Sequence, residues 1–245
     1  MTENLPFLSI IFPAYNEEQR LPETLALTRD FIHSQPYTTE LIIVENASTD
    51  RTLEIAKAFC FENSFASVIH LDLPGKGRAV QTGMLAAKGS YRFICDVDLS
   101  MPIGEINRFL PPQLNGVDIA IASREAAGAV RIAEPPYRHL VGRVFNTLVR
   151  WLALPRLQDT QCGFKCFTAE SAESLFPLQT IAGWTFDVEI LAIAFKMDYK
   201  IQEVPIRWYF HSHSKVKVVR DSIRMGTDLI RIRRNLRRGV YARPN

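Results

Sequence analysis

Arg92-Phe93-Ile94-Cys95-Asp96-Val97-Asp98-Leu99-Ser100 reads as an apolar strand that runs into two carboxylates. Alternation along a strand sends Asp96 and Asp98 to the same face. Two like charges on one face repel unless a cation sits between them. A divalent metal is the usual occupant, and one held by few protein ligands keeps open positions for a phosphate-bearing partner. An Asp-x-Asp is too short to be specific by itself, so its weight depends on what surrounds it.

Working outward, apolar runs and helical patterns alternate. Leu8 to Ala14 is a buried-type strand, and Glu17 to Ser34 a helix with Leu21, Leu25, Leu27 and Phe31 near one face. Glu40 to Glu45 is a second strand, and Ser48-Thr49-Asp50 caps a helix over Arg51 to Glu62. Val68 to Leu71 forms a third strand, Gly75-Lys76-Gly77 opens a helix to about Lys88, and Gly89 stops it. Tyr91 to Asp96 and Ile119 to Ala122 complete the strands of this half. Apolar strands separated by helices imply a mostly parallel sheet flanked by helices, an α/β fold. Ligands of such sheets bind outside the carboxyl ends of the strands, where Glu17, Glu45 and Asp96 converge.

Ser123 to Pro136 loses periodicity and reads as a loop that orders on ligand binding. Tyr137 to Leu152 reads as an amphipathic helix, Asp159 to Phe167 leads into a strand, and Trp184 to Lys196 is a helix with Trp184 and Phe186 expected in the core. Ile201 to Trp208 is a late strand, and Lys215 to about Arg238 a terminal helix. The formal net charge of +3 hides a division: from Lys215 onward stand ten Lys/Arg and two Asp, a balance of +8, against −5 before it. Such asymmetry implies an anionic surface as partner. A basic amphipathic helix on anionic lipid is preferred to a solvated helix packed on the domain. Nucleic acid is not expected, because the body is acidic and no binding module is recognisable. Met1 to Pro6 lacks the features of a secretory signal, no run suffices to span a bilayer, and Cys60, Cys95, Cys162 and Cys166 read as reduced thiols.

Four stretches, Leu8–Glu17 (LSIIFPAYNE), Leu41–Thr52 (LIIVENASTDRT), Gly75–Gly89 (GKGRAVQTGMLAAKG) and Asp96–Pro102 (DVDLSMP), resemble family 2 glycosyltransferases. Asp159–Phe167 (DTQCGFKCF), Trp184–Glu189 (WTFDVE), Glu203–Trp208 (EVPIRW) and Ser214-Lys215 resemble the polyprenyl-phosphate branch of that family. The likeness covers roughly residues 8–238. It implies a GT-A fold, the Rossmann-like fold of nucleotide-diphospho-sugar transferases. One domain over residues 1–214 is expected, with a nucleotide-binding half to about 122 and an acceptor half after it, followed by the basic helix and tail, 215–245.

The resemblance implies an inverting hexosyltransferase that depends on Mg2+ or Mn2+ at Asp96 and Asp98. The expected donor is UDP-glucose and the acceptor a polyprenyl or dolichyl phosphate. A GDP-mannose enzyme is the near alternative and a non-catalytic membrane-surface scaffold the far one. Pro13, Tyr15, Glu17, Val44, Glu45, Asn46, Lys76, Asp96, Val97, Asp98, Arg124 and Lys215 are expected at the donor. Arg124 and Arg138 are expected at the acceptor phosphate, and Asp159 and Gln161 under the sugar or acceptor as further catalytic residues. From the residues alone, Pro13 to Glu17 reads equally as a plain strand-to-helix turn, Ser48 to Asp50 mostly as caps, and Asp159 as a buried structural acid. Lys76 reads either as a nucleotide contact or as a solvated side chain. Tyr209 stands where the mannose enzymes place an arginine, which tilts the donor towards glucose. The implied location is the cytoplasmic side, peripherally attached to the inner face of a membrane.

Overall fold

Branched and aromatic side chains bounded by turn residues dictate the sheet. The strands are β1 (Leu8–Ala14), β2 (Thr39–Asn46), β3 (Ala66–Leu71), β4 (Tyr91–Cys95), β5 (Ile119–Ser123), β7 (Phe164–Thr168) and β8 (Ile201–Pro205). The computed structural model describes residues 5–135, 143, 146–147, 149–151, 154, 156–210 and 218–241, with side chains of the last stretch from 224 onward. The sheet runs β3-β2-β1-β4-β7-β5-β8. β1, β2, β3 and β4 are parallel, and β7 is antiparallel to both β4 and β5. β8 is again parallel to β5, so one strand of seven runs against the rest.

Helices α1 (Leu21–Ser34), α2 (Thr52–Glu62) and α3 (Lys76–Ala86) make the crossovers of the first half. β1 lies between β2 and β4, so α1 and α2 carry the chain outward on one side of it and the α3 crossover from β3 returns to its other side. Sheets of this kind receive ligands at such a reversal, which here falls at the carboxyl ends of β1 and β4. The second half adds α4 (Ala169–Leu175), α5 (Phe186–Lys196) and α6 (Val218–Arg238), and short 3-10 turns at Ile103–Phe109 and Phe176–Leu178.

Strand alternation sends successive side chains to two cores. Ile11, Val44, Ile94 and Ile121 face α3, α5 and α6, among Val80, Leu191, Leu229 and Ile232. Ile10, Phe12, Phe93 and Phe164 face α1 and the 103–109 turn, among Leu25 and Phe109. Phe93, Phe109 and Phe164 meet edge to face with centroids 4.5 to 5.5 Å apart, the arrangement that ring quadrupoles favour.

Three expectations change. The 123–136 segment is not a bare loop: β6 (Val130–Ile132) pairs in parallel with β9 (Arg207–Tyr209). The late strand is correspondingly split at Ile206, β8 staying in the central sheet while β9 leaves it for β6. Ser48, Thr49 and Asp50 do more than cap α2. They latch the turn after β1 to the turn after β2, through Asn16 N donating to Ser48 Oγ (2.9 Å), Thr49 N to Asn16 Oδ1 (2.8 Å) and Glu18 N to Asp50 Oδ2 (3.1 Å).

The terminal helix also departs from expectation. Met225, Leu229, Ile232 and Leu236 recur at helical spacing, and that stripe is turned inward, with Leu229 and Ile232 wholly buried in the core that contains α5. Tyr241 follows them inward and donates its hydroxyl to Glu189 Oε1 at 2.8 Å. Most of the apolar stripe among the described residues is thus covered by the protein itself, while Ile230 stays 66 % exposed among the arginines. Arg224, Arg231, Arg233, Arg234, Arg237 and Arg238 remain exposed on the other face. Among the described residues no helix is long and apolar enough to cross a membrane.

Candidate functional site

β4 ends at Cys95, so strand alternation does not place Asp96 and Asp98. A turn does: Asp96 N donates to Gly163 O at 3.1 Å, Leu99 N returns to Asp96 O at 3.3 Å, and Leu99 takes a positive φ of 43°. Asp98 Oδ1 accepts Ser100 N at 3.0 Å, which fixes that carboxylate. Val97 between them is buried, and its carbonyl accepts Thr24 Oγ1 at 2.7 Å. Gly163 is required by close approach, because a Cβ there would stand 1.9 Å from Asp96 Oδ2.

Lys76 does not lie free in solvent: its side chain is 16 % exposed and is held on Asp96. Its ammonium meets Asp96 Oδ1 at 2.7 Å and Oδ2 at 2.9 Å, with the Trp184 ring centroid 5.1 Å away. Burial would lower the Lys76 pKa, but the fields of Asp96, Asp187 and Asp98 outweigh it and raise the value. Trp184 precedes α5 and is only partly buried, whereas Phe186 is core as expected. Gly77 lets the 181–186 stretch press on the start of α3, since a Cβ there would be 2.5 Å from Ile181 O. Glu189 braces that stretch by accepting Thr180 N (3.0 Å) and Ile181 N (2.8 Å).

Behind this rim, Lys165 and Asp187 form a buried pair at 2.7 Å. Burial pushes the Asp187 carboxyl up, against the pull of Lys165 and Lys76. Arg124 leaves β5 and closes on Asp159, with Nε to Oδ2 at 2.6 Å, Nη2 to Oδ1 at 2.9 Å and its own backbone N to Oδ2 at 3.0 Å. Asp159 is 0 % exposed. Burial would raise its carboxyl, but the Arg124 charge and hydrogen bonds, helped by Lys165, hold it at about 2. Glu203 accepts the backbone N–H groups of Gln158 and Asp159, both at 3.0 Å, and fixes the strap that carries Asp159. The Trp208 ring backs Arg124, whose Cζ is 5.4 Å from its centroid. Gln161 donates its backbone N–H to Asp159 Oδ1 at 3.3 Å. The 159–163 strap ties the two parts together, carrying Asp159 at one end and accepting Asp96 N through Gly163 O at the other, and burial first, with Asp159 and Asp96 adding and Arg124 and Lys165 opposing, pushes the Cys162 thiol between them to about 12. Asp96 and the Arg124–Asp159 pair therefore share one electrostatic neighbourhood.

At the other end of the rim, Tyr15 is partly exposed after β1, while Pro13 and Val44 belong to paired strands and Val44 is buried. Glu17 forks onto Arg20, with contacts of 2.8 and 3.1 Å. Glu45 is buried and already engaged, by Ser48 N and by His70 Nδ1, each at 2.5 Å. Asn46 Oδ1 accepts Gly75 N at 2.9 Å and so anchors the loop before Lys76. His70, Trp184, Lys165 and Trp208 were not singled out as site residues. His70 was findable from the β2–β3 register, which sets it opposite Glu45. Arg138 and Lys215 lie outside the described residues.

The geometry is a row of charged groups at the carboxyl ends of β1, β2 and β4, suited to a nucleotide, beside a locked arginine suited to a second anion. Residues 9–175 match the profile of glycosyl transferase family 2. The chain belongs to glycosyltransferase family 2. A dolichyl-phosphate β-glucosyltransferase of Drosophila melanogaster is 34% identical over 240 residues, 92% of this chain and 74% of that protein. One from Dictyostelium discoideum is 32% identical over 249 residues, covering 96% and 76%. Among solved structures, glucosyl-3-phosphoglycerate synthase from Mycobacterium tuberculosis, in complex with Mn2+, UDP-glucose and phosphoglyceric acid, superposes with a TM-score of 0.66. It covers 98% of this chain and 81% of that one at 20% identity, a likeness of fold. This glycosyltransferase accordingly has the GT-A architecture expected from its motifs.

No cluster of three or more His, Cys, Asp or Glu that could hold a metal ion stands among the described residues. Asp96 and Asp98 still fit a divalent ion. Two hard oxygen donors leave most of an octahedral shell to phosphate and water, the way Mg2+ is usually held beside nucleotides. That Asp96 already holds a cation, the Lys76 ammonium, shows that its carboxylate is placed to bind positive charge.

Proposed function

We propose that this glycosyltransferase moves glucose, with inversion, from UDP-glucose onto dolichyl or a related polyprenyl phosphate. The observation that carries the reading is the 159–163 strap, which bears the Arg124-locked Asp159 at one end and at the other accepts the backbone N–H of the cation-binding Asp96 through Gly163 O. The names of the relatives support the glucosyl donor and the lipid phosphate, and the Mn2+ and UDP-glucose of the structural neighbour support a metal-bridged nucleotide.

In this reading Tyr15, Glu17, Glu45 and Asn46 border the nucleoside, and Asp96 and Asp98 hold the metal. The divalent ion supplies Lewis-acid stabilisation of the departing diphosphate. Arg124 neutralises charge on the phosphates, with Arg138 and Lys215 as further cations. Asp159 acts through Arg124 rather than on the substrate, because both of its oxygens are taken by the guanidinium. Gln161 borders the acceptor side. The acceptor phosphate is an anion near neutral pH, so its oxygen attacks the anomeric carbon without a strong base while the nucleoside diphosphate leaves with the bonding pair. Alignment and charge neutralisation then supply most of the rate.

The acceptor places the enzyme at a bilayer, and the exposed arginines of α6 give the means. Each basic residue near an anionic surface contributes about 1 kcal/mol. The contact is chiefly electrostatic, since Met225, Leu229 and Ile232 are buried, with Ile230 left exposed among the arginines.

The test is transfer from radiolabelled UDP-glucose and GDP-mannose to dolichyl phosphate, with Mn2+, Mg2+ or chelator. A lipid-linked hexose should form from UDP-glucose and vanish with chelator. Asp98→Ala should fold normally and lose at least about a hundredfold in turnover, the scale of removing a main transition-state stabiliser. Transfer from GDP-mannose alone rejects the donor assignment, and no transfer from any donor favours a scaffold.

A further inference from the structure

Lys76 is placed with more care than a passing surface contact needs. It is the first residue of α3, its side chain is 16 % exposed, and it spans both oxygens of Asp96. Three features keep it there. The Trp184 ring covers the ammonium, Asn46 pins the backbone just before it through Gly75 N, and Gly163 fits so closely against Asp96 that the carboxylate has no retreat on that side.

The position that Lys76 fills is the one a divalent ion would need. An ammonium at contact distance from both oxygens takes the bidentate position of a carboxylate whose side chain is 27 % exposed, and a second cation on the same carboxylate would be repelled at short range. A nucleotide diphosphate changes the balance, because it brings anionic oxygens to which the ammonium can turn.

We infer that Lys76 is a tethered counter-cation that keeps free divalent ions off Asp96 until a nucleotide diphosphate draws the ammonium away. Metal capture is thereby conditional on the donor, an inference that rests on the proposed function. Lys76 acts in this scheme by moving its charge from Asp96 to the diphosphate, and it makes or breaks no covalent bond. Linkage makes the effect reciprocal, so UDP tightens Mn2+ binding and Mn2+ tightens UDP binding by one common factor. Part of that factor belongs to Lys76.

Titration of the full chain with Mn2+, followed by the electron paramagnetic resonance signal of the free ion, tests this without any turnover. Wild type without nucleotide should bind Mn2+ weakly and gain strongly on adding UDP. Lys76→Met should bind Mn2+ without UDP at least about tenfold more tightly than wild type, a change of about 1.4 kcal/mol, and should gain less from UDP. Lys76→Gln provides a second neutral variant, and thermal melting selects whichever stays folded. Lys76→Arg keeps the charge and should keep the exclusion. Equal Mn2+ affinity of wild type and the neutral variants without UDP, with normal uptake when UDP is present, overturns the inference and leaves the donor site intact. No Mn2+ uptake by any form even with UDP overturns the donor-site reading itself.

Discussion

Asp159→Asn probes the buried pair on which Arg124 depends. The native carboxylate is 0 % exposed and spanned by Arg124 Nε and Nη2, so amidation deletes the charge and spoils one acceptor position. Breaking a buried pair costs about 3–5 kcal/mol, and the partly exposed guanidinium puts this one near the lower end. The pH linkage agrees in scale: a carboxyl held at about 2 against an ordinary 3.8 corresponds to about 2–3 kcal/mol at neutral pH. The folded pKa is depressed, so this stability is present above about pH 4 and is lost as pH falls towards about 2. Thermal melting at neutral pH should therefore show a drop of about 6–12 °C for a chain of this length. The gap to wild type should stay constant through neutral pH and narrow only below about pH 4.

Arg124→Met should be worse, because it strands a wholly buried carboxylate. The double variant should recover part of that loss, so the two single costs exceed the double by about 2–3 kcal/mol. Turnover should be non-additive as well, with each single variant and the double falling to a similar level. Additive effects on turnover, with Asp159→Asn losing activity that Arg124→Met does not, would place Asp159 on the substrate and refute the positioning role.

Two further outcomes follow from the packing. Gly163→Ala drives a methyl to within 1.9 Å of Asp96 Oδ2, so the turn must shift; Mn2+–UDP binding measured by calorimetry should fall at least about tenfold, and native affinity would mean that Asp96 is not where the metal binds. Reversing Arg231, Arg234 and Arg238 to Glu should leave the melting temperature within a few degrees, as all three are exposed. It should abolish salt-sensitive sedimentation with anionic vesicles, and unchanged sedimentation removes α6 from the membrane contact.

The first half of the fold was legible because β1 to β4 are short apolar runs punctuated by helices, a pattern with one common architecture. The direction of β7 was not. FKCFT carries Lys165 into the core, where Asp187, 22 positions away in sequence, is its partner, and nothing local reports that pairing or the strand's orientation. β6 and β9 are three residues each, too short for a periodic signal, and they exist because each supplies the other's ladder. The stripe of α6 was visible, but amphipathicity states only that one face must be covered. The covering surface was the protein itself.

The site was legible in its acids and illegible in its pairings. Asp96 and Asp98 stand out because an apolar strand ends on them, yet a turn sets their directions. Lys76 carried no local signal of its partner. Asp96 is 20 residues away, reached by the length of α3 and the run of β4, and the two meet because both lie at the carboxyl edge that the crossover creates. The same edge brings Glu45 to His70 through strand register and Arg124 to Asp159 across two elements. In each pair the carboxylate meets a positively charged or imidazole side chain already within hydrogen-bonding distance. A rim with its charges provisionally matched can be stable without ligand, and phosphates and metal then bind by exchanging partners rather than by entering a field of bare like charges. That exchange makes the order of binding a property of Lys76, which sequence spacing alone could not reveal.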